Sequence, residues 1–313
     1  MNNFVEVRTV LGKKKINKNT VTLSHEHICC YSEYLNIMSK SYLSKSELAE
    51  KSADILKNMK EEYGLELFID CTPVNIGRDV DILKKVSELS GVDIVRSCGF
   101  YYNDEPILDC MSAETLAEFI VGDANNTCAG IIKAAVEYDT VSPFNIKLLK
   151  ASALAQKKTG LPIILHTNAN NKNGIKAVEI LLIENVNPKN IVVGHLSDTN
   201  DNEYIKNFAK SGCYIALDRM YDNERQEYIT SKINQINALC EAGYADSLLL
   251  SHDDSVFQGF CDKPQIREPR WSYMFEYILP RLDDDIANKI LKENPLTMLC
   301  GMEDYYGIHR KDT

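Results

Sequence analysis

The hydrophobic positions of the chain fall into short continuous runs separated by longer amphipathic stretches. Runs of this kind, rich in β-branched residues and without strict alternation, are typical of parallel strands that are buried on both faces. Eight of them stand out: VTLS (21–24), LFIDC (67–71), DIVRSC (93–98), AGIIK (129–133), PIILH (162–166), IVVGH (191–195), YIAL (214–217) and SLLLS (247–251). The pattern predicts a parallel sheet whose strands are connected by helices.

The amphipathic stretches between the runs predict those helices. Residues 44–64 begin with a serine at capping-box spacing from Glu47 and end at Gly64, and both are helix boundary signals. Residues 144–160 also end at a glycine, and residues 202–212 predict a shorter third helix. Buried strands that alternate with helices in this way are typical of a (β/α)8 barrel.

The chain has no low-complexity segment and no Pro- or Ser-rich linker, so we predict one TIM-barrel domain over residues 1–313. The alternative is a doubly wound open sheet. Such a sheet normally carries a glycine-rich phosphate loop after its first strand. Here the first apolar run is followed by His25-Glu26-His27, which favours the barrel.

Composition and charge limit the classes of partner. A net charge of −10 argues against nucleic acid or an anionic membrane as the main partner. The ten cysteines are scattered and form no CxxC pair, and the first residues lack the apolar stretch of a signal peptide. No apolar run approaches the roughly 18 residues that span a bilayer. We therefore expect a cytoplasmic protein with reduced thiols.

Polar residues recur where the predicted strands end. In a barrel the carboxyl ends of the strands meet at one face, where active sites lie. His25 and His27 occupy alternate positions of an extended chain and so point to the same side. The residues that follow this pattern are His25, His27, Lys133, His166, His195 and Asp253. Neutral imidazoles with a carboxylate are suitable ligands for divalent zinc, manganese, iron or cobalt.

Each of these residues also has an ordinary structural interpretation. A single histidine at a strand end is usually a hydrogen-bonded core residue, a lysine such as Lys133 can extend to the rim, and Asp253 could cap a helix. The joint pattern favours a metal site. His252 is expected on the other side of Asp253, and His309 in the tail is expected to be exposed and uninvolved.

The order of the motifs resembles that of the phosphotriesterase family of the amidohydrolase superfamily. The resemblance covers nearly the whole chain: RTVLG (8–12), SHEH (24–27), FIDCTPVNIGRDV (68–80), GIIK (130–133), LHT (165–167), GHLSDTND (194–201), ALDR (216–219), LSHDD (250–254), PRWS (269–272) and ENPLTMLCG (293–301). It implies a barrel that holds two divalent metal ions, zinc first among the candidates.

By motif position, the resemblance implies a ligand set for both ions. His25, His27 and Asp253 would bind the more buried ion, and His166 and His195 the more exposed one. Lys133 would be carboxylated and would bridge both ions together with a hydroxide. That hydroxide would attack the substrate, and Asp253 would accept its proton.

Within the family, the chain looks most like the phosphotriesterase-like lactonases. CGFYY (98–102) would place Tyr101 beside the metals, and ALDR would place Arg219 near them, although rim packing and a structural ion pair are the plain alternatives. The resemblance implies a small-molecule lactone as substrate and a homodimer as the assembly.

Two kinds of lactone compete. In the loop after the last strand, a group of cationic and hydroxyl side chains could hold a phosphate: Lys263, Arg267, Arg270 and Tyr273. The same loop offers apolar side chains for an acyl tail: Val256, Phe257, Phe260 and Trp271. We favour a sugar lactone, with or without a phosphate. The alternatives are an acyl homoserine lactonase with promiscuous phosphotriesterase activity and, more distantly, a ligand-binding barrel without catalysis.

Overall fold

The eight predicted runs form eight parallel strands that pair in chain order. The computed structural model describes residues 3–38, 43–220, 225–261 and 264–306. A hairpin, β1 (Phe4–Thr9) and β2 (Gly12–Asn17), precedes β3 (Val21–Cys30), β4 (Leu65–Asp70), β5 (Asp93–Gly99), β6 (Ile131–Ala135), β7 (Ile163–His166), β8 (Ile191–Val193), β9 (Tyr214–Leu217) and β10 (Leu248–Leu250).

The sheet closes on itself between its last and first strands. The strand β11 (Ser255–Gln258) follows β10 along the chain and pairs in parallel with β3, with Ser255 opposite His27, while β12 (Gln265–Ile266) pairs antiparallel with β11. Between β10 and β11, Asp253 N donates to His25 O at 3.1 Å, and His27 N donates to Asp254 O at 3.0 Å. The predicted (β/α)8 barrel is confirmed, and the open sheet is excluded.

Helices cover the outside of the barrel. They are α1 (Glu33–Met38), α2 (Lys45–Tyr63), α3 (Val80–Ser90), α4 (Pro106–Asp109), α5 (Ala113–Asn126), α6 (Pro143–Thr159), α7 (Gly174–Ile183), α8 (Asn202–Lys210), α9 (Gln226–Glu241), α10 (Asp284–Asn288), α11 (Asn294–Cys300) and α12 (Met302–Tyr306). The boundary signals of α2 act as predicted. Ser44 accepts a hydrogen bond from Glu47 N, and Gly64, at φ +71°, donates to Lys60 O.

The structure differs from the sequence prediction at both ends of the barrel. The first strand continues past Ser24 to Cys30, because its polar half pairs with β11. The sixth strand ends at Val193, before His195, whose φ of +62° turns the chain. The hairpin of β1 and β2 had not been predicted, and its buried residues Val5 and Val7 pack against the apolar lower part of the barrel interior.

Two further expectations concern the thiols and the membrane. All ten cysteines are free. Within the part of the chain that the structure describes, no helix combines the length and the apolar character needed to cross a bilayer.

Candidate metal centre

The barrel brings the six predicted polar residues together at the carboxyl ends of its strands. They are His25 and His27 on β3, Lys133 on β6, His166 on β7, His195 two residues after the end of β8, and Asp253 between β10 and β11. All are buried except Asp253, whose side chain is 14% exposed. The six side chains therefore line the carboxyl end of the barrel.

The ring nitrogens of the four histidines converge in two groups. In the first, His27 Nε2 lies 3.0 Å from Asp253 Oδ1, and His25 Nε2 lies 3.6 Å from the same oxygen. In the second, His195 Nε2 lies 2.7 Å from His166 Nδ1. Lys133 Nζ is 2.7 Å from His25 Nε2. The ligand set implied by the motif positions stays a prediction, because His25 also lies close to His195 and Asp218.

The remaining nitrogen of two of these rings meets a hydrogen-bond acceptor. His27 Nδ1 lies 2.8 Å from Thr72 Oγ1, which itself contacts Cys29 O at 3.3 Å and so uses its hydrogen there. His166 Nε2 lies 2.8 Å from Glu137 Oε2. Acceptors of this kind hold the proton on one ring nitrogen and leave a lone pair on the other.

One carboxylate serves the other two rings. Asp218 Oδ1 lies 3.1 Å from His195 Nδ1, and Asp218 Oδ2 lies 2.5 Å from His25 Nδ1. The second contact is short but angled away from ordinary hydrogen-bond geometry. Burial alone would raise the pKa of Asp218, but the adjacent His195 and His25 rings hold that pKa well below its usual range.

The donor set suits a divalent cation. Burial, reinforced by the charge on Lys133, lowers the pKa of His25 to about 4, and burial also lowers the pKa values of His166 and His195. These rings are therefore neutral near pH 7, as metal ligation requires. The ligand atoms of His25, His27 and Asp253 lie within 4.8 Å of one another, as a shared ion demands.

The buried amine of Lys133 is a second unusual feature of the cluster. Its side chain is almost fully buried. Among the residues that the structure describes, no carboxylate oxygen lies within the 4.0 Å ion-pair distance of its Nζ. A buried ammonium without a carboxylate partner is costly.

Backbone strain marks two of the six residues. His195 and Asp253 have φ values of +62° and +53°, in the left-handed region that residues other than glycine rarely adopt. Such strain persists only where the surroundings hold it, and it concentrates at functional sites.

Glu26, the middle residue of His25-Glu26-His27, holds the chain around Asp253. Its fully buried carboxylate accepts hydrogen bonds from His252 N at 2.8 Å and from Asp254 N at 3.1 Å, on the two sides of Asp253. Its Oε1 also contacts His252 Nδ1 at 2.7 Å. His252 thus faces away from the ring cluster, as the alternation along the chain had indicated.

A cleft of about 210 Å³ opens above the cluster. Tyr101 is in its wall, with its hydroxyl 3.4 Å from His166 Nδ1. Arg219 lies on another side, where its Nε donates to Asp253 Oδ2 at 2.8 Å and its Nη1 to Asp198 Oδ2 at 2.6 Å.

The structure separates the residues that had been grouped as a phosphate site. Arg267 lines the cleft and is paired with Asp254. Arg270 is exposed and Tyr273 is buried, and neither is among the described residues that line the cleft. Lys263 lies outside the described residues, as does His309.

The residues considered for an acyl tail are separated too. Phe260 lines the cleft and is 51% exposed. Val256, Phe257 and Trp271 are buried in the hydrophobic core, where Trp271 packs edge-on against Phe68. The cleft therefore receives one of the four apolar side chains.

Four residues of the site were missed by the sequence analysis: Glu26, Thr72, Glu137 and Asp218. For Asp218 a signal was present, because it is a polar residue that directly follows the apolar run YIAL, two positions after Ala216, much as Lys133 is a polar residue two positions after Ile131. The other three act through contacts that no local pattern announces.

A TIM barrel with this cluster of imidazoles and carboxylates at its carboxyl end is characteristic of metal-dependent hydrolases. The phosphotriesterase family model matches residues 5–299. The chain therefore belongs to the phosphotriesterase family, whose members are hydrolases, and it is a hydrolase of ester or amide bonds.

Several curated proteins are similar to the chain over almost its full length. The aryldialkylphosphatase of Saccharolobus solfataricus is 30% identical, over 91% of this chain and 97% of the relative. The phosphotriesterase homology protein of Mycobacterium tuberculosis is 26% identical, and the N-acetyltaurine hydrolase of Homo sapiens is 24% identical, each over 93% of this chain and 96% of the relative. The relatives thus carry names for both ester and amide hydrolysis.

Proposed function

We propose that the chain is a binuclear metal-dependent lactonase. His25, His27 and Asp253 would hold one divalent cation, and His166 and His195 the other, with a carboxylated Lys133 between them. The two groups of converging nitrogens support this ligand set, as does the buried amine of Lys133, which has no carboxylate partner among the described residues. Zinc is our first candidate, and manganese, cobalt and iron accept the same ligands.

When bound, such cations ionise water near neutral pH and polarise a carbonyl oxygen. The chain supplies the proton acceptor and its orientation. Asp253 has its Oδ1 beside His27 Nε2 and its Oδ2 held by Arg219 Nε, so it is positioned to take the proton from the attacking water and return it to the leaving oxygen of the opened ring. Burial alone would raise the pKa of Asp253, but His195, the hydrogen bond with His27 and the charge of Arg219 hold that pKa well below its usual value, so the carboxylate stays ionised until that transfer.

Tyr101 is our candidate for orienting the lactone. Burial raises the pKa of Tyr101 well above its usual value, so its hydroxyl keeps its hydrogen. The hydroxyl can therefore donate a hydrogen bond to a ring oxygen of a substrate beside His166.

The size and the polar lining of the cleft support the choice of a sugar lactone over an acyl lactone. A cleft of about 210 Å³ lined by His27, Tyr101, Arg219 and Arg267 fits a compact polar molecule better than a long alkyl chain. We therefore propose a sugar lactone, and Arg267 is the cation placed to meet a phosphate on it.

The first test is kcat/KM for a 5-phosphorylated pentono-lactone beside a long-chain acyl homoserine lactone, with manganese- or zinc-loaded enzyme. We expect a preference for the sugar lactone. Arg267→Ala and Lys263→Ala should each raise KM about 10-fold for the phosphorylated lactone and leave KM for its neutral counterpart unchanged. Equal effects on both lactones would refute the phosphate contact.

The second candidate is an acyl homoserine lactonase. Phe260, exposed in the cleft, is the observation that favours it. A preference for the acyl lactone, together with a large rise in KM for that substrate in Phe260→Ala, would select this function instead.

We also propose that the protein is a cytoplasmic homodimer. The ten free cysteines are compatible with a reducing compartment. Sedimentation velocity of the purified protein tests the dimer directly.

A further inference from the structure

Asp218 occupies a place that the proposed reaction does not use. Its side chain is fully buried, and its carboxylate contacts the Nδ1 atoms of His25 and His195, whose ring centroids are 5.2 Å apart. Asp218 Oδ1 also accepts a hydrogen bond from His195 N at 2.7 Å. One carboxylate thus contacts a ring from each of the two proposed metal sites.

We propose that Asp218 is a positioning residue shared by both metal sites, an inference that rests on the proposed function. By accepting a hydrogen bond from His195 Nδ1 and by lying 2.5 Å from His25 Nδ1, its carboxylate favours in both rings the tautomer that keeps the hydrogen on Nδ1 and the lone pair on Nε2. Those Nε2 atoms are the ones that point into the cluster, toward Lys133 in one ring and His166 in the other. Asp218 therefore couples the binding of the two cations.

Asp218 could instead be a direct metal ligand, since its oxygens lie close to nitrogens of His25 and His195. The direction of the rings argues against this role. The nitrogens near Asp218 are the Nδ1 atoms, whereas the Nε2 atoms face Lys133 and His166. A cation held by the Nε2 atoms would therefore be separated from Asp218 by both rings.

The approach of Asp218 depends on a glycine in the neighbouring strand end. A Cβ added at Gly194 would lie 3.2 Å from Asp218 Oδ2 and 2.8 Å from Leu165 O. Since the backbone oxygen cannot yield easily, any larger residue at position 194 would push the strand ends apart. The sequence Gly194-His195 thus provides both the ring and the space for its partner.

The other two histidines offer matched controls, because each has a partner of its own. Thr72 contacts only the His27 ring among the four, and Glu137 contacts only the His166 ring. Thr72→Val should therefore weaken the binding of the cation at His27, and Glu137→Gln the binding of the cation at His166. Asp218→Ala should weaken both.

The experiment is a titration of metal-free protein with Co²⁺ by calorimetry, with bound metal counted by mass spectrometry and folding checked by circular dichroism. We expect wild type to bind two ions. Asp218→Ala should raise both dissociation constants at least about 10-fold, and each control variant should raise one of them. Asp218→Asn keeps the shape but has a single acceptor oxygen, so it should weaken at least one constant, and it decides the matter if Asp218→Ala does not fold.

Two outcomes overturn the inference and are distinguishable. If wild type binds two ions and Asp218→Ala weakens only one constant, or both Asp218 variants leave both constants within about twofold, the shared role is refuted while the binuclear site stands. If wild type binds fewer than two ions, the proposed function fails and the shared role fails with it.

Discussion

The interior of the barrel contains an apolar layer and a polar layer, two residues apart along the same strands. The lower layer is apolar and consists of Val95, Ile131, Ile164, Val192, Ala216 and Leu249. The upper layer is polar and includes Lys133, His166 and Asp218, each two residues beyond Ile131, Ile164 and Ala216. Residues two apart in a strand point the same way, so both layers depend on one backbone scaffold.

The two layers contribute differently to the free energy of unfolding. Burying the lower layer removes apolar surface from water, which stabilises the fold at roughly 25 cal/mol per Å². The upper layer buries charged and polar groups and holds His195 and Asp253 at positive φ, which costs free energy. We infer that stability resides mainly in the lower layer and chemistry in the upper one.

The largest expected effect comes from Asp253 in the upper layer. Asp253→Asn removes the proton acceptor while nearly preserving the shape of the side chain, so kcat should fall about 10³-fold with little change in melting temperature. The measurement is kcat at full metal loading, with metal content verified. A near-normal kcat would remove Asp253 from the mechanism.

The lower layer should respond in the opposite way. Ile164→Ala deletes buried methyl groups and leaves a cavity, so the free energy of unfolding should fall by about 2–5 kcal/mol. Ile164 is two residues before His166 and belongs to the lower layer. The amount of metal bound per folded chain should therefore remain at the wild-type value. Urea unfolding and metal analysis check the two halves of this expectation. Loss of metal at unchanged stability would contradict the division between the layers.

The pH dependence of stability should arise from the upper layer. The pKa of His25 is about 4 in the fold and 6.5 in its reference state, so the unfolded chain binds a proton first as pH falls. The contribution of His25 to the stability of the metal-free protein is therefore complete above about pH 6.5 and is lost as the pH falls from 6.5 to 4; it amounts to on the order of 3 kcal/mol. His25→Gln should flatten this part of the urea-midpoint profile, and an unchanged slope would contradict the assignment.

The smallest expected effect is on the stability of a Lys133 variant. Lys133→Met replaces a buried amine that has no carboxylate partner with an apolar side chain of similar length, so the metal-free protein should be as stable as wild type or more stable by about 1–2 kcal/mol. Its metal content should fall at the same time. Clear destabilisation of the metal-free variant would mean that Lys133 supports the fold.

Much of the fold was predictable from local patterns. The eight apolar runs all became strands of the barrel, because continuous β-branched runs can be buried only between two covering layers. The serine and glycine at the ends of α2 act within a few residues of themselves, so their roles could be predicted without the fold. The hairpin of β1 and β2 escaped prediction, because β1 alternates buried and more exposed residues and β2 carries three lysines, so neither strand is a continuous apolar run.

The candidate site divides in the same way. Amino-acid sequence by itself determined which side chains stand at the strand ends, since the polar residues interrupt apolar runs at recognisable positions such as His25, Lys133 and His166. Only the tertiary structure decided what holds them. The contact of His25 with Asp218 joins residues 193 positions apart, and that of Glu26 with Asp254 joins residues 228 apart. Such contacts exist only because closing the barrel brings distant strand ends to one rim, and no periodicity in the chain encodes which ends will meet there.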